Sequence, residues 1–352
     1  MKLTLANWGY YSICFKNLLE SLGIQVILPE KTTPKSIEEG AKISPDLFCF
    51  PLKVNIGNYL SAIRKGADTI FMWENIGGSC RLRYYWIIQE KALREAGFKV
   101  TVLNINAKNF FPTLNKIRKE NGVSVFELVR SFLFFLQQVW FIEKIEKEVR
   151  YLRPRELESG RADRILMKTL EDLDKIVTAG QLRELERKTK KELSKVQIDK
   201  NKKVLKIGLV GEIYTVVDEV INFDLEKKLG QMEVEVCRQM NLLYHLKKTV
   251  FPWIDWKIQK KIMPYLKSTV GGHGRDAIYE LLEYSKEGFD GVIQLLPFGC
   301  MPETTVRPIL QNISKEKGIH FISFSIDEQT GEVGVSTRLE AFVDLIKNKK
   351  LS

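Results

Sequence analysis

The sequence contains no Cys-x-x-Cys pair, no Gly-x-x-x-x-Gly-Lys loop and only 3 histidines in 352 residues. Each absence removes a class of protein. Without closely paired cysteines, neither a ferredoxin-type motif nor a zinc ribbon can be read locally. Without the phosphate-cradling loop and its lysine, nucleotide hydrolysis has no motif to rest on. Long apolar runs are also missing. The longest, residues 131–136 continuing through 139–142, is broken by Gln137 and Gln138 and flanked by charge, so no membrane-spanning segment is expected. Residues 1–9 hold no apolar run ending in a small-residue cleavage site, which predicts no secretory signal and a cytoplasmic chain. The 5 cysteines are then not expected to form a disulfide framework, because the cytosol keeps thiols reduced.

What is present is an ordinary globular mixture, 44% hydrophobic and 28% charged, in a chain longer than one core usually holds. Two or three domains are expected. Lysine and arginine total 55 against 44 acidic residues, a net charge of +11 that suits either an anionic partner or simple solubility. Much of the charge lies between residues 143 and 203, with both signs alternating at helical spacing, as in Glu184, Glu186, Arg187, Lys188, Lys190, Lys191 and Glu192. That pattern reads as a solvated helix face, and with no aromatic-interleaved basic motif beside it, nucleic-acid binding is not expected.

The chain divides where its pattern changes. Residues 1–106 alternate short apolar runs with amphipathic stretches. Strands are expected at Leu3-Thr4-Leu5, Gln25-Val26-Ile27-Leu28, Asp46-Leu47-Phe48-Cys49-Phe50, Thr69-Ile70-Phe71-Met72-Trp73 and Val100-Thr101-Val102-Leu103, with helices over 12–22, 57–65 and 83–96. Residues 107–202 lose the strand signal and form a helical connector, interrupted at Pro154, Gly160 and Gly180. Residues 203–352 alternate again, with strands expected at 204–211, 234–236, 291–296 and 320–325. The fold class is α/β: two Rossmann-like parallel-sheet domains with a helical insertion between them.

Cys14 on an apolar helix face and Cys237 beside Arg238 read as small buried hydrophobes. The other three cysteines are expected at strand ends: Cys49 before Pro51, Cys80 after Gly77-Gly78-Ser79, and Cys300 within Pro297-Phe298-Gly299-Cys300-Met301-Pro302-Glu303. In open α/β sheets ligands bind beyond the carboxyl ends of strands, so these three either converge on a metal or are unrelated buried thiols. His273, in Gly271-Gly272-His273-Gly274-Arg275-Asp276, is a fourth ligand, a proton donor, a phosphate contact with Arg275, or a turn residue without a role. His245 and His320 read as structural. Gly208-Leu209-Val210-Gly211-Glu212 lacks the full dinucleotide pattern. Thr337 is expected to cap the terminal helix, and Arg338 to pair with Asp327 or Glu328.

Taken in order, several segments resemble the 2-hydroxyacyl-CoA dehydratase superfamily, in the branch of CoA-substrate-specific enzyme activase or dehydratase D-component-like proteins. They are Cys49-Phe50-Pro51-Leu52-Lys53, Gly77-Gly78-Ser79-Cys80-Arg81 with Tyr84, Gly211-Glu212-Ile213-Tyr214 with Asn222, Gly271-Gly272-His273-Gly274, Pro297 to Glu303, and Asp327-Glu328 with Thr337-Arg338-Leu339-Glu340-Ala341-Phe342. The resemblance covers both α/β halves and leaves the helical middle aside.

The resemblance implies one [4Fe-4S] cluster held by Cys49, Cys80 and Cys300, with one iron open to water, thiol or substrate. It further implies a separate ATP-dependent iron–sulfur activator, of the actin and sugar-kinase fold, that delivers a low-potential electron. The chain would pass that electron to a substrate of 2-hydroxyacyl-CoA type, as a lyase or reductase component, alone, as a homodimer or with a second dehydratase-like subunit. Within that frame His273 is the candidate proton or hydrogen-bond donor, and Arg81 the anion or activator contact. Two other readings stand beside it: a closed zinc site on Cys49, Cys80, Cys300 and His273 in a non-catalytic scaffold, and a cluster carrier or electron-transfer subunit without its own substrate.

Overall fold

The computed structural model describes residues 1–74, 80–106 and 108–351. Asn75, Ile76, Gly77, Gly78, Ser79 and Ala107, on which part of the Cys80 motif and the connector boundary fall, lie outside the described residues.

The first sheet is built from β1 (Lys2–Leu5), α1 (Ser12–Ser21), β2 (Gln25–Val26), α2 (Pro34–Ile43), α3 (Phe50–Arg64), β3 (Thr69–Trp73), α4 (Tyr85–Glu95) and β4 (Thr101–Ile105). Four helices follow: α5 (Phe110–Glu120), α6 (Val125–Leu152), α7 (Arg161–Leu173) and α8 (Ala179–Leu193). The second sheet then forms from β5 (Leu205–Gly211), α9 (Ile213–Val217), α10 (Leu225–Gln231), β6 (Val234–Cys237), α11 (Leu242–Val250), α12 (Pro252–Ile262), α13 (Gly274–Lys286), β7 (Gly291–Pro297), α14 (Met301–Lys317), β8 (His320–Ile326) and α15 (Glu332–Leu351). Both sheets are parallel throughout, ordered β2-β1-β3-β4 and β6-β5-β7-β8. The α/β class read from the sequence therefore holds. In each sheet the chain reverses its direction of winding between the first strand and the third, which opens a crevice at the carboxyl ends of that pair.

One expected strand is absent. Residues 46–50 do not extend a sheet; Phe50 opens α3, with Cys49 as its N-cap and Pro51 in its first turn. Proline's fixed φ and missing N–H suit the first helical turn, so it starts this helix instead of stopping a strand. α3 then runs on across the predicted 57–65 stretch. It lies against α2 at a crossing set by two glycines: a Cβ on Gly57 would strike the Ser36 carbonyl, and one on Gly40 the Lys53 carbonyl. Gly208 is likewise a packing glycine, with the Tyr284 ring over it.

A single apolar core spans both sheets, from Leu52 and Ile56 of α3 to Leu209 of β5 and Leu295 of β7. A second core joins the connector to the first sheet's α1: Val139, Ile142, Ile145 and Val149 of α6 pack with Tyr11, Cys14 and Leu18 and with the inner stripes of α7 and α8. By length and composition α6 is long enough and apolar enough to cross a membrane, because the helix outruns the interrupted apolar stretch seen in the sequence. Its buried stripe is a packing face for other helices of this chain.

Polar contacts tie the halves together at Asp218, which is 2% exposed. It accepts hydrogen bonds from Asn7 Nδ2 at 3.1 Å and Thr32 Oγ1 at 3.2 Å, and from the backbone N–H of Val220 at 3.0 Å. Burial pushes its carboxyl up to about 6, against the opposing pull of the N–H groups of Ile221 and Val220 and of Thr32. A raised folded-state pKa favours folding while the group is protonated. The contribution is full below the ordinary aspartate value near 4 and is lost as pH rises through about 6, at most about 3 kcal/mol. Asp218→Asn should remove that step. Thermal midpoints measured from pH 4 to 7 are expected to gain on the unaltered protein as pH rises; parallel curves would contradict the assignment.

Candidate functional site

The two crevices face each other across one small cavity of about 50 Å³. Trp8 reaches it from beyond β1, Trp73 and Cys80 from the end of β3 and beyond, Glu212 from beyond β5, and Cys300 from beyond β7. Cys49 and His273 complete the set of sequence-predicted residues on its wall. The residues singled out from sequence are thus brought together, while Cys14 lies buried in the separate α1–α6 core and Cys237 ends β6 elsewhere.

Each of the three cysteines immediately precedes a helix. Cys49 is the N-cap of α3, Cys80 of a 3-10 turn over Arg81–Tyr84, and Cys300 of α14, while His273 is the N-cap of α13. The N-terminal, positive ends of α3, α13 and α14 therefore gather around the cavity, an arrangement that favours thiolate sulfur and anionic groups.

Backbone contacts fix the loops. The Phe50 N–H donates to the Phe298 carbonyl at 3.0 Å, joining the Cys49 and Cys300 segments. Gly299, at φ +75°, lies so close to the Cys49 segment that a Cβ would stand 3.1 Å from the Phe48 oxygen. Gly272, at φ +58°, faces Cys80, where a Cβ would stand 3.9 Å from Sγ. Arg81 acts as a clamp between them. Its guanidinium donates to the Leu47 carbonyl at 2.6 Å and the Gly299 carbonyl at 2.5 Å, and lies 5.2 Å from the Phe48 ring centroid. These two donors are directed at the carbonyls of the two cysteine loops beside its own.

Arg275 donates to Gln259 and Asp255 at 3.2 and 3.0 Å. Two expected contacts are corrected. Arg338 donates to the Ser323 carbonyl at 3.1 Å and stacks on Phe324, while Glu328 pairs with Lys53. Thr337 lies inside α15, bonded to the Val333 carbonyl at 3.0 Å, because the helix begins earlier at Glu332.

The cavity is electrostatically unusual. Burial pushes the Cys49 thiol up to about 12 and raises Cys80 and Cys300, with Glu303 and Glu212 adding to the rise at Cys300. The backbone N–H groups of Leu82 and Glu303 oppose the shift at Cys80 and Cys300 respectively. Left alone, the three thiols are neutral; a bound cationic centre would displace their protons. Glu303, fully buried, is pushed up to about 8 by burial. Its Oε2 accepts from Gln294 at 2.8 Å, and Oε1 has no hydrogen-bond partner. Burial, with the His245 ring 5.7 Å away, lowers His273 to about 3, so its imidazole is neutral and can donate only through its single N–H. Glu212 accepts from the N–H groups of Tyr214 and Thr215 at 3.1 and 3.0 Å.

Three wall residues escaped the sequence reading. Tyr85, hydrogen-bonded to the Cys49 sulfur, is 1% exposed, whereas its neighbour Tyr84 is 50% exposed. The helical phase Tyr85, Gln89, Ala92, Leu93 carried that signal, since all four are buried on one face of α4. His245, read as structural, borders this cavity as well, and Trp8 carried no motif.

Among the described residues, no three His, Cys, Asp or Glu side chains already stand as a metal coordination sphere. The donor chemistry nevertheless fits a thiolate-held group: three soft sulfur donors lining one cavity, loops brought close by glycine, and helix N-termini around them. It suits iron–sulfur and zinc alike.

Residues 3–74, about a fifth of the chain, match a family described as CoA enzyme activase uncharacterised domain. The match runs from β1 through β3 and includes Cys49. It makes this part of the chain similar to components of 2-hydroxyacyl-CoA dehydratase activase systems, without selecting a branch. No curated protein matches the sequence.

Proposed function

We propose that this chain holds one [4Fe-4S] cluster through Cys49, Cys80 and Cys300, with one iron left open. In this reading it takes a low-potential electron from a separate ATP-hydrolysing iron–sulfur activator and uses it on a bound substrate of 2-hydroxyacyl-CoA type. The observation that carries the reading is the convergence of three cysteines from three distant segments on one cavity, each at a helix N-terminus. Bound there, the cluster supplies one-electron chemistry and a Lewis-acidic iron.

The chain's own residues have separate tasks. The helix N-termini favour the thiolates, and the Tyr85 hydroxyl hydrogen-bonds Cys49 sulfur. Arg81 holds the Leu47 and Gly299 carbonyls so that the cysteine loops keep their spacing. Trp8, Trp73 and Tyr214 form the apolar part of the cavity wall. Glu303, mostly protonated at neutral pH, and neutral His273 are the groups able to offer a proton or a hydrogen bond at its wall.

The description of the family matched at residues 3–74 favours a second reading, in which the chain serves on the activator side of the same system. Both are tested by purifying the chain without oxygen and measuring iron, acid-labile sulfide and zinc with the visible spectrum. About four irons and four sulfides per chain are expected. One zinc without sulfide would overturn the cluster reading in favour of a structural zinc site. ATP hydrolysis by the chain alone would move it to the activator side.

A further inference from the structure

A second, larger cavity of about 210 Å³ lies against the thiol cavity, and Trp8, Trp73, Tyr214 and His245 form walls of both. It sits beyond the carboxyl ends of β1 and β3 and is closed by α1, α5, α6 and α11. Its lining is a continuous succession of rings. Trp8 meets Phe15 at 6.0 Å, Phe15 meets Phe135 at 5.1 Å, Phe135 meets Phe132 at 6.1 Å, Phe132 meets Phe110 at 5.9 Å, and Phe110 meets Trp73 at 5.6 Å. Phe111 and Val250, 59% and 65% exposed, mark its opening to solvent. Among the described residues, no lysine, arginine, aspartate or glutamate lines it.

Among the described residues of this wall, one buried side-chain oxygen is unsatisfied. Tyr59, on α3, is fully buried, lines the chamber, and its hydroxyl has no hydrogen-bond partner. A buried hydroxyl without a partner is costly, and a bound acceptor would relieve it. The volume exceeds the roughly 150 Å³ apolar cavity known to take up benzene, which leaves room for two fused rings or a branched hydrocarbon of similar size.

We infer that this chamber binds an uncharged aromatic or hydrocarbon group bearing one carbonyl or similar acceptor, held by the Tyr59 hydroxyl, with its far end directed between Trp8, Trp73 and His245 toward the thiol cavity. The assignment of that ligand as a substrate rests on the proposed function; its binding does not. The uncharged lining excludes phosphates and carboxylates from the chamber itself, because a desolvated anion would find no cation there. Any charged portion of a ligand remains outside, beyond Phe111 and Val250.

The test uses the full chain without metal and two probes, naphthalene and 2-acetylnaphthalene, titrated by calorimetry. Both are expected to bind one per chain, the ketone more tightly. Tyr59→Phe should weaken 2-acetylnaphthalene roughly five- to tenfold and leave naphthalene unchanged. Leu246→Trp, which fills the chamber from α11, should weaken both at least tenfold with an unchanged circular dichroism spectrum. Absence of saturable binding for both probes, or an equal effect of Tyr59→Phe on the two, would overturn the inference. Should the chain hold no iron, the cluster reading fails while the probe titrations keep their outcome, so the two failures are distinguishable.

Discussion

Cys300→Ser should hold less than one iron per chain after anaerobic reconstitution, where the unaltered chain holds about four. Cys14→Ser should match the unaltered chain. The two thiols are similarly hidden, at 4% and 0% exposure, but only Cys300 faces the cavity shared with Cys49 and Cys80. Cys14 is enclosed by the α1–α6 core, where burial raises its thiol well above the ordinary value. Serine at position 300 also separates coordination from folding. That residue is the N-cap of α14, and serine is among the preferred residues there, so the fold should not weaken. Iron and sulfide assays with thermal midpoints on both variants check this. Equal iron loss in the two would defeat the ligand assignment, and a collapsed midpoint in Cys300→Ser would show that the thiol serves packing.

The alternation of apolar runs and amphipathic stretches was sufficient to read two parallel sheets, because strands buried on both faces are nearly continuous in apolar residues and β7 (Gly291–Pro297) is buried along its whole length. The same rule failed at residues 46–50. An apolar run as short as Leu47-Phe48-Cys49-Phe50 has no period of its own, and Pro51 was read as a stop when its geometry makes it a start. The site was legible wherever chemistry is punctuated by glycine, as at Gly272 and Gly299 beside His273 and Cys300. It was illegible wherever the role depends on tertiary contact. Nothing local tells that Arg81 will reach carbonyls at residues 47 and 299, or that His245 will stand beside His273. The aromatic chamber was hidden for a related reason. Its rings come from α1, α3, α5, α6, α9 and the carboxyl end of the first sheet, and in each element they look like ordinary core spacing.

Arg238→Ala should open the contact between the connector and the second sheet by about 3–5 kcal/mol, the range expected when one partner of a buried ion cluster is removed. The Arg238 side chain is 2% exposed at the end of β6. It donates to Glu146 of α6 at 3.0 Å and stands 3.2 Å from Glu226 of α10, whose other oxygen lies 3.5 Å from Arg150. Burial works against the ionised form of Glu226, but Arg238, Arg150 and Arg153 outweigh it and hold the carboxyl below its usual value. Alanine would leave Glu146 and Glu226 enclosed with too little positive charge, and that unpaired burial dominates over the lost attraction. Hydrogen exchange of α6 amides measures the opening locally and should accelerate at least roughly a hundredfold. A triple substitution, Glu146→Gln with Glu226→Gln and Arg238→Met, removes the charges together and should recover most of the loss, since neutral groups of similar size do not need compensation. If the single and triple variants lose equal protection, the cluster contributes through shape alone. The distinction matters for the site, because α6 carries Phe132 and Phe135 of the aromatic chamber on the same helix as Glu146. A connector loosened at Arg238 should therefore also weaken binding of 2-acetylnaphthalene, whereas the charge-free triple variant should retain it.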